Sequence, residues 1–339
     1  MEPFLVSEGN DGVELKVICI GVGRGGCNVI AHMLNKTLVG IDLIAIGTDT
    51  ESLAQIDDVK KIQIGSKLVK GLGAGMKPDI GTQASIEDYD EIRTVLEGAD
   101  IVFILAGLGG GTGTGASPIV AQIAKKVGAL TISIVTTPFK FEGKKRSQLA
   151  KIGLENIKKE SNSVLVIQSD KLLTLIDKRL GLKDAFKVLD GVIEEAINGM
   201  ASIVLSSEEN DINLDFDDLK TVMSHKGMAV MGTGKYNGNN AANEAVKQAM
   251  EYVLLENIAL NEVTGALIHF NVHPNFLIME ISEAMDIINE SVHEDAEVIF
   301  GTTTDSSLSE EYVQVIIIFT GFEKKYTQNR VMNNIHFDG

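Results

Sequence analysis

Through the first half of the chain, short apolar runs of strand type alternate with amphipathic stretches. The runs lie at residues 15–21, 43–47, 101–106, 131–136 and 164–168, and each ends in glycine or polar residues before a helical pattern resumes. That alternation predicts βαβ units and a parallel sheet, whose strand ends are where nucleotide sites are built. From Leu182 onward Phe186, Leu189, Ile193, Ile197, Met200 and Ile203 recur every three or four residues, which predicts a long helix with a continuous apolar stripe. Behind it, runs at 229–232, 265–272, 297–302 and 313–319 read as strands separated by helices. The expected fold is α/β: a Rossmann-like parallel-sheet domain at 15–180, a central helix at 181–205 and a smaller α+β domain at 206–322, flanked by a flexible segment at 1–14 and a short tail at 323–339. The Asn- and Gly-rich stretch 237–243 reads as a surface turn.

Composition narrows the partners. A formal charge of −17 repels phosphate backbones and anionic lipid, so neither nucleic acid nor a membrane surface is expected, and any bound phosphate must be held locally. Cys19 and Cys27 lack C-x-x-C spacing, which points away from disulfides and zinc and toward a reducing cytoplasm. No apolar run approaches the ~20 residues that span a bilayer, and residues 1–11 lack a secretion pattern.

The strongest chemical signal is Gly109-Gly110-Gly111-Thr112-Gly113-Thr114-Gly115, placed after an apolar strand and before the helical pattern 116–127. Exposed N–H groups and the positive helix end make an anion cradle, to which Thr112 and Thr114 add hydroxyl donors. An isolated glycine-rich strand-to-helix turn is often only tight packing, but this run is denser than that. It has no Walker lysine, so charge must be offset by other groups or a metal ion. A second turn, Gly21 with Gly23, Arg24, Gly25 and Gly26, opens another helix, which suits one triphosphate gripped from two sides. Residues Gly71-Leu72-Gly73-Ala74-Gly75 fit a further wall, or an ordinary loop.

In these residues the chain resembles the tubulin/FtsZ family. The run 109–115 is similar to the family signature, and Gly-Leu-Gly-Ala-Gly at 71–75, Pro-Phe-Lys-Phe-Glu-Gly-Lys-Lys-Arg at 138–146 and Asn-Leu-Asp-Phe-Asp-Asp at 213–218 resemble its FtsZ branch, in the family's order, from about residue 15 to about 321. The resemblance implies a GTPase that binds GTP or GDP with Mg2+, the metal held mainly by the phosphates rather than by side chains. Binding positions would include Ala74, Gly75, Pro138, Glu142 and Arg146 on the ribose and phosphate side, Asn28 and Asp190 reading guanine, and Phe186 packed on the base. A carboxylate can accept from both N1–H and the exocyclic amine of guanine but meets no such pair on adenine. Without the resemblance, Asp190 would read as a solvated helix-surface acid.

Residues 213–218 also suit ordinary helix capping. If Asp190 lies at the nucleotide, however, the far end of its helix is ~22 Å away. In the family the corresponding loop completes the next subunit's site, so Asn213, Asp215 and Asp218 would orient a water toward a neighbour's γ-phosphate within a head-to-tail homopolymer. The resemblance further implies a cytokinetic ring at mid-cell, with division-ring regulators as partners.

Four places depart from the family pattern. Arg24 replaces a glycine, at an expected ~1–2 kcal/mol if that site is left-handed, unless the guanidinium contacts phosphate. Gly47 and Gln168-Ser169 stand where the family commonly has Asn and Pro-Asn. The chain ends at Gly339 without a long linker and terminal peptide, which keeps open a tail-less paralogue whose filaments serve another task. A dehydrogenase binding NAD is the remaining alternative, and the glycine pattern does not suit it.

Overall fold

The computed structural model describes residues 15–34, 40–171, 181–205, 212, 216–225, 227–254 and 259–322. The expected end segments 1–14 and 323–339, and Asn213 and Asp215 of the acidic loop, lie outside the described residues.

β1 (Val17–Val22) runs straight into α1 (Gly23–Met33). β2 (Ile41–Gly47) leads to α2 (Thr50–Ala54), then β3 (Lys60–Gln63), α3 (Ser66–Val69), α4 (Pro78–Glu87) and α5 (Tyr89–Leu96). β4 (Ile101–Gly107), α6 (Thr112–Lys126), β5 (Leu130–Thr137), α7 (Lys144–Glu160) and β6 (Ser163–Gln168) follow. After α8 (Leu182–Leu205) come α9 (Phe216–Met223), β7 (Met228–Asn237), α10 (Ala241–Leu254), β8 (Gly265–Val272), α11 (Ile278–Ser291), β9 (Glu297–Thr304) and β10 (Tyr312–Phe322).

These ten strands form one sheet in the order β3-β2-β1-β4-β5-β6-β7-β10-β8-β9. Strands β3 to β7 are mutually parallel, β10 is antiparallel to both of its neighbours, and β8 and β9 pair in parallel. The join between the halves is thin. β6 and β7 pair only through Val164 with Met228 and Leu165 with Ala229.

Near-continuous apolar strands arise because both sheet faces are covered. Alternation sends Ile18, Ile20 and Val22 of β1 to one core with α6 and α10, while Val17 and Cys19 join the other with α1 and α8. The stripe on α8, from Leu189 through Ile193, Ile197 and Met200 to Ile203, packs on Phe103 and Ile132 of the first half and on Ile316 and Ile318 of the second. One helix thus spans the thin join. Its far end is marked by Leu205, whose side chain approaches Gly40 just before β2 begins.

Two details differ from the sequence reading. α6 starts at Thr112 rather than at residue 116, so the glycine run supplies its first turn. β3 was not anticipated, since its exposed lysines break the apolar pattern and leave only Ile62 buried, as suits an edge strand.

Candidate nucleotide site

β1 and β4 are neighbours, yet the helices that follow them leave to opposite faces: Val29 and Ile30 of α1 enter the core of α8, and Val120 and Ile123 of α6 the other. Such a divergence opens a crevice at the carboxyl ends of the strands. Here it is a cavity of about 510 Å³. Its wall takes Gly23, Arg24, Gly25 and Asn28 from the first glycine turn, Ala74 and Gly75 from the third, and Gly110, Gly111, Thr112 and Gly113 from the long run. Pro138, Glu142, Arg146 and Phe186 close another side. A small annex of about 80 Å³ adds Gly26 and Asp190, and shares Gly25, Asn28 and Phe186 with the main cavity.

Gly109, Thr114 and Gly115, three of the expected binding positions, do not line the cavity. The Thr114 hydroxyl is buried and accepts a hydrogen bond from the Gly109 N–H at 2.8 Å, which ties the loop to the first turn of α6. Gly115 packs against the carbonyl of Pro78 at the start of α4.

The three loops are tied together. Gly111 N–H donates to Gly75 O at 2.7 Å, and a Cβ on Gly111 would sit 2.6 Å from that oxygen, so only glycine allows the approach. Thr48, which the sequence reading passed over, lies at the junction: its Oγ1 is 2.7 Å from Thr112 Oγ1 and accepts from Ala74 N–H at 3.1 Å. Ser169 likewise donates to Thr137 O at 2.6 Å, and a Cβ at Gly47 would press on Leu53 at 3.2 Å.

The strain expected at Arg24 is absent. Gly23 takes the left-handed conformation, with φ +70°, and Arg24 follows as an ordinary helical residue. Its guanidinium reaches across the mouth to Asp49, Nη2 to Oδ2 2.8 Å, while Nε donates to Ser52 Oγ at 3.1 Å. Desolvation pushes the Asp49 carboxyl up, but hydrogen bonds from the Ser52 hydroxyl and amide and from Arg24 outweigh it and hold the group below the usual carboxylate range.

On the other side Glu142 accepts from Phe139 N–H at 2.9 Å and from Arg146 Nη1 at 2.7 Å. Phe139, also missed from sequence, is buried, with its ring centroid 5.0 Å from that of Phe141 and 5.4 Å from the roughly perpendicular ring of Phe186. It packs against Phe186, which lines the cavity. Next to it, burial raises the Asp190 carboxyl to about 6. Burial also pushes the Cys27 thiol up to about 12, which leaves it inert at neutral pH. Among the described residues no group of three or more His, Cys, Asp or Glu could hold a metal ion, and no helix is long and apolar enough to cross a membrane.

Asp218 lines neither the cavity nor its annex. It is half-buried in the first turn of α9, and Ile212 just upstream is pinned to β9, donating to Thr302 Oγ1 at 2.9 Å and accepting from Thr302 N–H at 3.1 Å.

Known proteins share this architecture. Residues 16–177 match the tubulin/FtsZ family GTPase domain, and residues 227–323 match the FtsZ family C-terminal domain. The cell division protein FtsZ of Neisseria meningitidis is 43% identical over 307 residues, covering 90% of this chain and 78% of that protein. The chain belongs to the tubulin/FtsZ family. An empty FtsZ dimer from M. jannaschii superimposes with a TM-score of 0.83 at 39% identity, covering 91% of this chain and 88% of that one. CetZ2 from Haloferax volcanii, solved as a GTPγS-bound protofilament, shares the fold with a TM-score of 0.76 at 18% identity, over 90% and 92% of the two chains. As a tubulin/FtsZ GTPase the protein binds guanine nucleotide and hydrolyses GTP, which sets aside the NAD-dependent alternative.

Proposed function

We propose that GTP occupies the cavity with its base toward Asp190 and Asn28, its ring against Phe186, its ribose along Pro138, Glu142 and Arg146, and its phosphates on the loops around Gly23 to Gly26, Ala74 to Gly75 and Gly110 to Gly113. Mg2+, when bound, would offset phosphate charge. Its ligands would be mainly the phosphates themselves.

Hydrolysis would be completed by Asn213, Asp215 and Asp218 of the next subunit. What carries this reading is α8. Asp190 lines the annex at one end, Leu205 lies at the opposite end of the sheet beside Gly40, and the 15 residues between them span about 22 Å at 1.5 Å each. The two ends also differ as surfaces. Leu72, 88% exposed, and Phe141, 65% exposed, stand near the cavity; Leu277, Ile278 and Met279, each at least 60% exposed, follow β8, the strand paired with the Thr302 strand that pins Ile212. Two unlike surfaces make a heterologous contact that repeats instead of closing. The FtsZ dimer supports self-association, and the Neisseria relatives, named as cell division proteins, support a task in cell division; a place at mid-cell and division-ring regulators as partners belong to the same proposal.

The test is GTP hydrolysis with Mg2+ as a function of protein concentration, with ATP as control and light scattering in parallel. Turnover per subunit should be negligible when dilute and rise with scattering. Asp218→Ala should keep GTP-dependent scattering and lose turnover. Hydrolysis that is constant per subunit down to the lowest concentration would refute the shared site.

A further inference from the structure

The long glycine run has no lysine, and Arg24 and Arg146 are the cationic side chains among the described residues that line the cavity. Arg146 is committed to Glu142 at 2.7 Å. Arg24 is held differently. Its side chain is 74% exposed, and its partners Asp49 and Ser52 do not depend on it. Asp49 caps α2 and accepts from Glu51 N–H at 3.1 Å, Ser52 N–H at 3.3 Å and the Ser52 hydroxyl at 2.9 Å, so its carboxylate remains satisfied when the guanidinium leaves. An exposed ion pair contributes little net stability, whereas a guanidinium on a phosphate gains a charge-assisted, potentially bidentate contact.

Position decides which phosphate. Asp190 and Phe186 mark the base end, in the annex. Asp49 adjoins Thr48, whose hydroxyl joins Thr112 and Ala74 at the meeting of the long glycine run and the third loop. We propose that Arg24 is a specificity-determining residue that reads the terminal phosphate: its guanidinium exchanges Asp49 and Ser52 for the phosphate chain when a triphosphate is bound, and so favours GTP over GDP. This rests on the placement of the nucleotide given above. It goes beyond that placement in giving the paired arginine a second state.

Binding of a non-hydrolysable GTP analogue and of GDP to the dilute chain, measured by calorimetry at fixed Mg2+, tests the exchange. Arg24→Gln should weaken the analogue by about ten- to hundredfold, the span of a hydrogen bond to a charged group, and GDP by less than about threefold. Arg24→Lys should recover part of the loss, since it keeps the charge but not the fork. Asp49→Asn keeps an acceptor for the α2 amides while releasing Arg24, and should bind the analogue at least as tightly as the parent. Equal losses for the analogue and GDP in Arg24→Gln, no loss at all, or Asp49→Asn reproducing the loss would each overturn the proposal in favour of a purely structural pair. A parent chain that fails to prefer the guanine analogue over its adenine counterpart would instead overturn the nucleotide placement.

Discussion

The proposed guanine-reading role of Asp190 can be tested quantitatively. Burial sets its carboxyl at about 6, against 3.8 for the ordinary group, and only the ionised form can accept from both guanine donors. If binding requires the ionised form, apparent affinity scales with the ionised fraction of the free protein. At pH 7.5 that fraction is nearly complete; at pH 5 it is about one in eleven, so affinity should fall roughly tenfold from this group alone. Guanosine is the suitable ligand, because its lack of phosphate removes a competing titration, and fluorescence or calorimetric titration from pH 5 to 8 gives the profile. Asp190→Asn should abolish the pH dependence and lose the preference for guanosine over adenosine. Stability runs the other way. The folded value lies above the unfolded one, so protonated Asp190 favours the folded state, and stability from this group falls as pH rises from about 4 to about 6. Full desolvation of such a group would cost about 3 kcal/mol, and partial exposure reduces that to about 1–2 kcal/mol. The nucleotide-free Asn variant should therefore melt a few degrees higher than the parent above pH 6. A flat binding profile for the parent chain, or a variant that still selects guanosine, refutes the assignment.

Two further outcomes separate binding from folding and assembly from binding. A Cβ at Gly110 meets nothing within 4 Å, whereas one at Gly111 meets Gly75 O at 2.6 Å; Gly110→Ala should keep the parent's melting temperature while weakening GTP, and Gly111→Ala should lower the melting temperature itself. Between Lys247 and Lys324 the chain has no Lys or Arg, while Lys140, Lys144, Lys145, Lys183 and Lys187 cluster near the cavity's Glu142 and Phe186 in sequence. The concentration threshold for GTP-dependent scattering should accordingly rise with ionic strength, and a threshold that stays constant or falls would show that apolar contacts alone drive the ends together.

How much of this was legible in the sequence depended on the range of the interaction. Strand alternation, the α8 stripe and the glycine loops are local patterns and were legible, apart from the edge strand β3 and the early start of α6. The length of α8 was also legible, since helix rise converts residue number into distance, and Asp218 does not line the cavity or its annex. What could not be read were contacts between loops distant in the chain: the Thr48 hydroxyl joining Thr112 and Ala74, the Phe139 ring behind Phe186, and Asp49 receiving Arg24. Thr114 shows the converse. As a residue type it could donate to phosphate, and only the fold reveals that it accepts from Gly109.

Side-chain commitments within the cavity also favour the proposal that a second copy completes the site. Three carboxylates stand in the described wall of the cavity and its annex: Asp49, Glu142 and Asp190. Asp49 is occupied by the α2 amides, Ser52 and Arg24, and Glu142 by Phe139 N–H and Arg146. Asp190 lines the annex, whereas Thr48 and Thr112 line the main cavity. The wall is thus rich in donors for phosphate and has no uncommitted carboxylate placed to polarise a water in line with the terminal one. On that proposal a lone chain would hold its nucleotide intact. On the proposed shared site, the acids that follow α8 in the chain would arrive only with the next subunit, and GTP would survive until that contact forms.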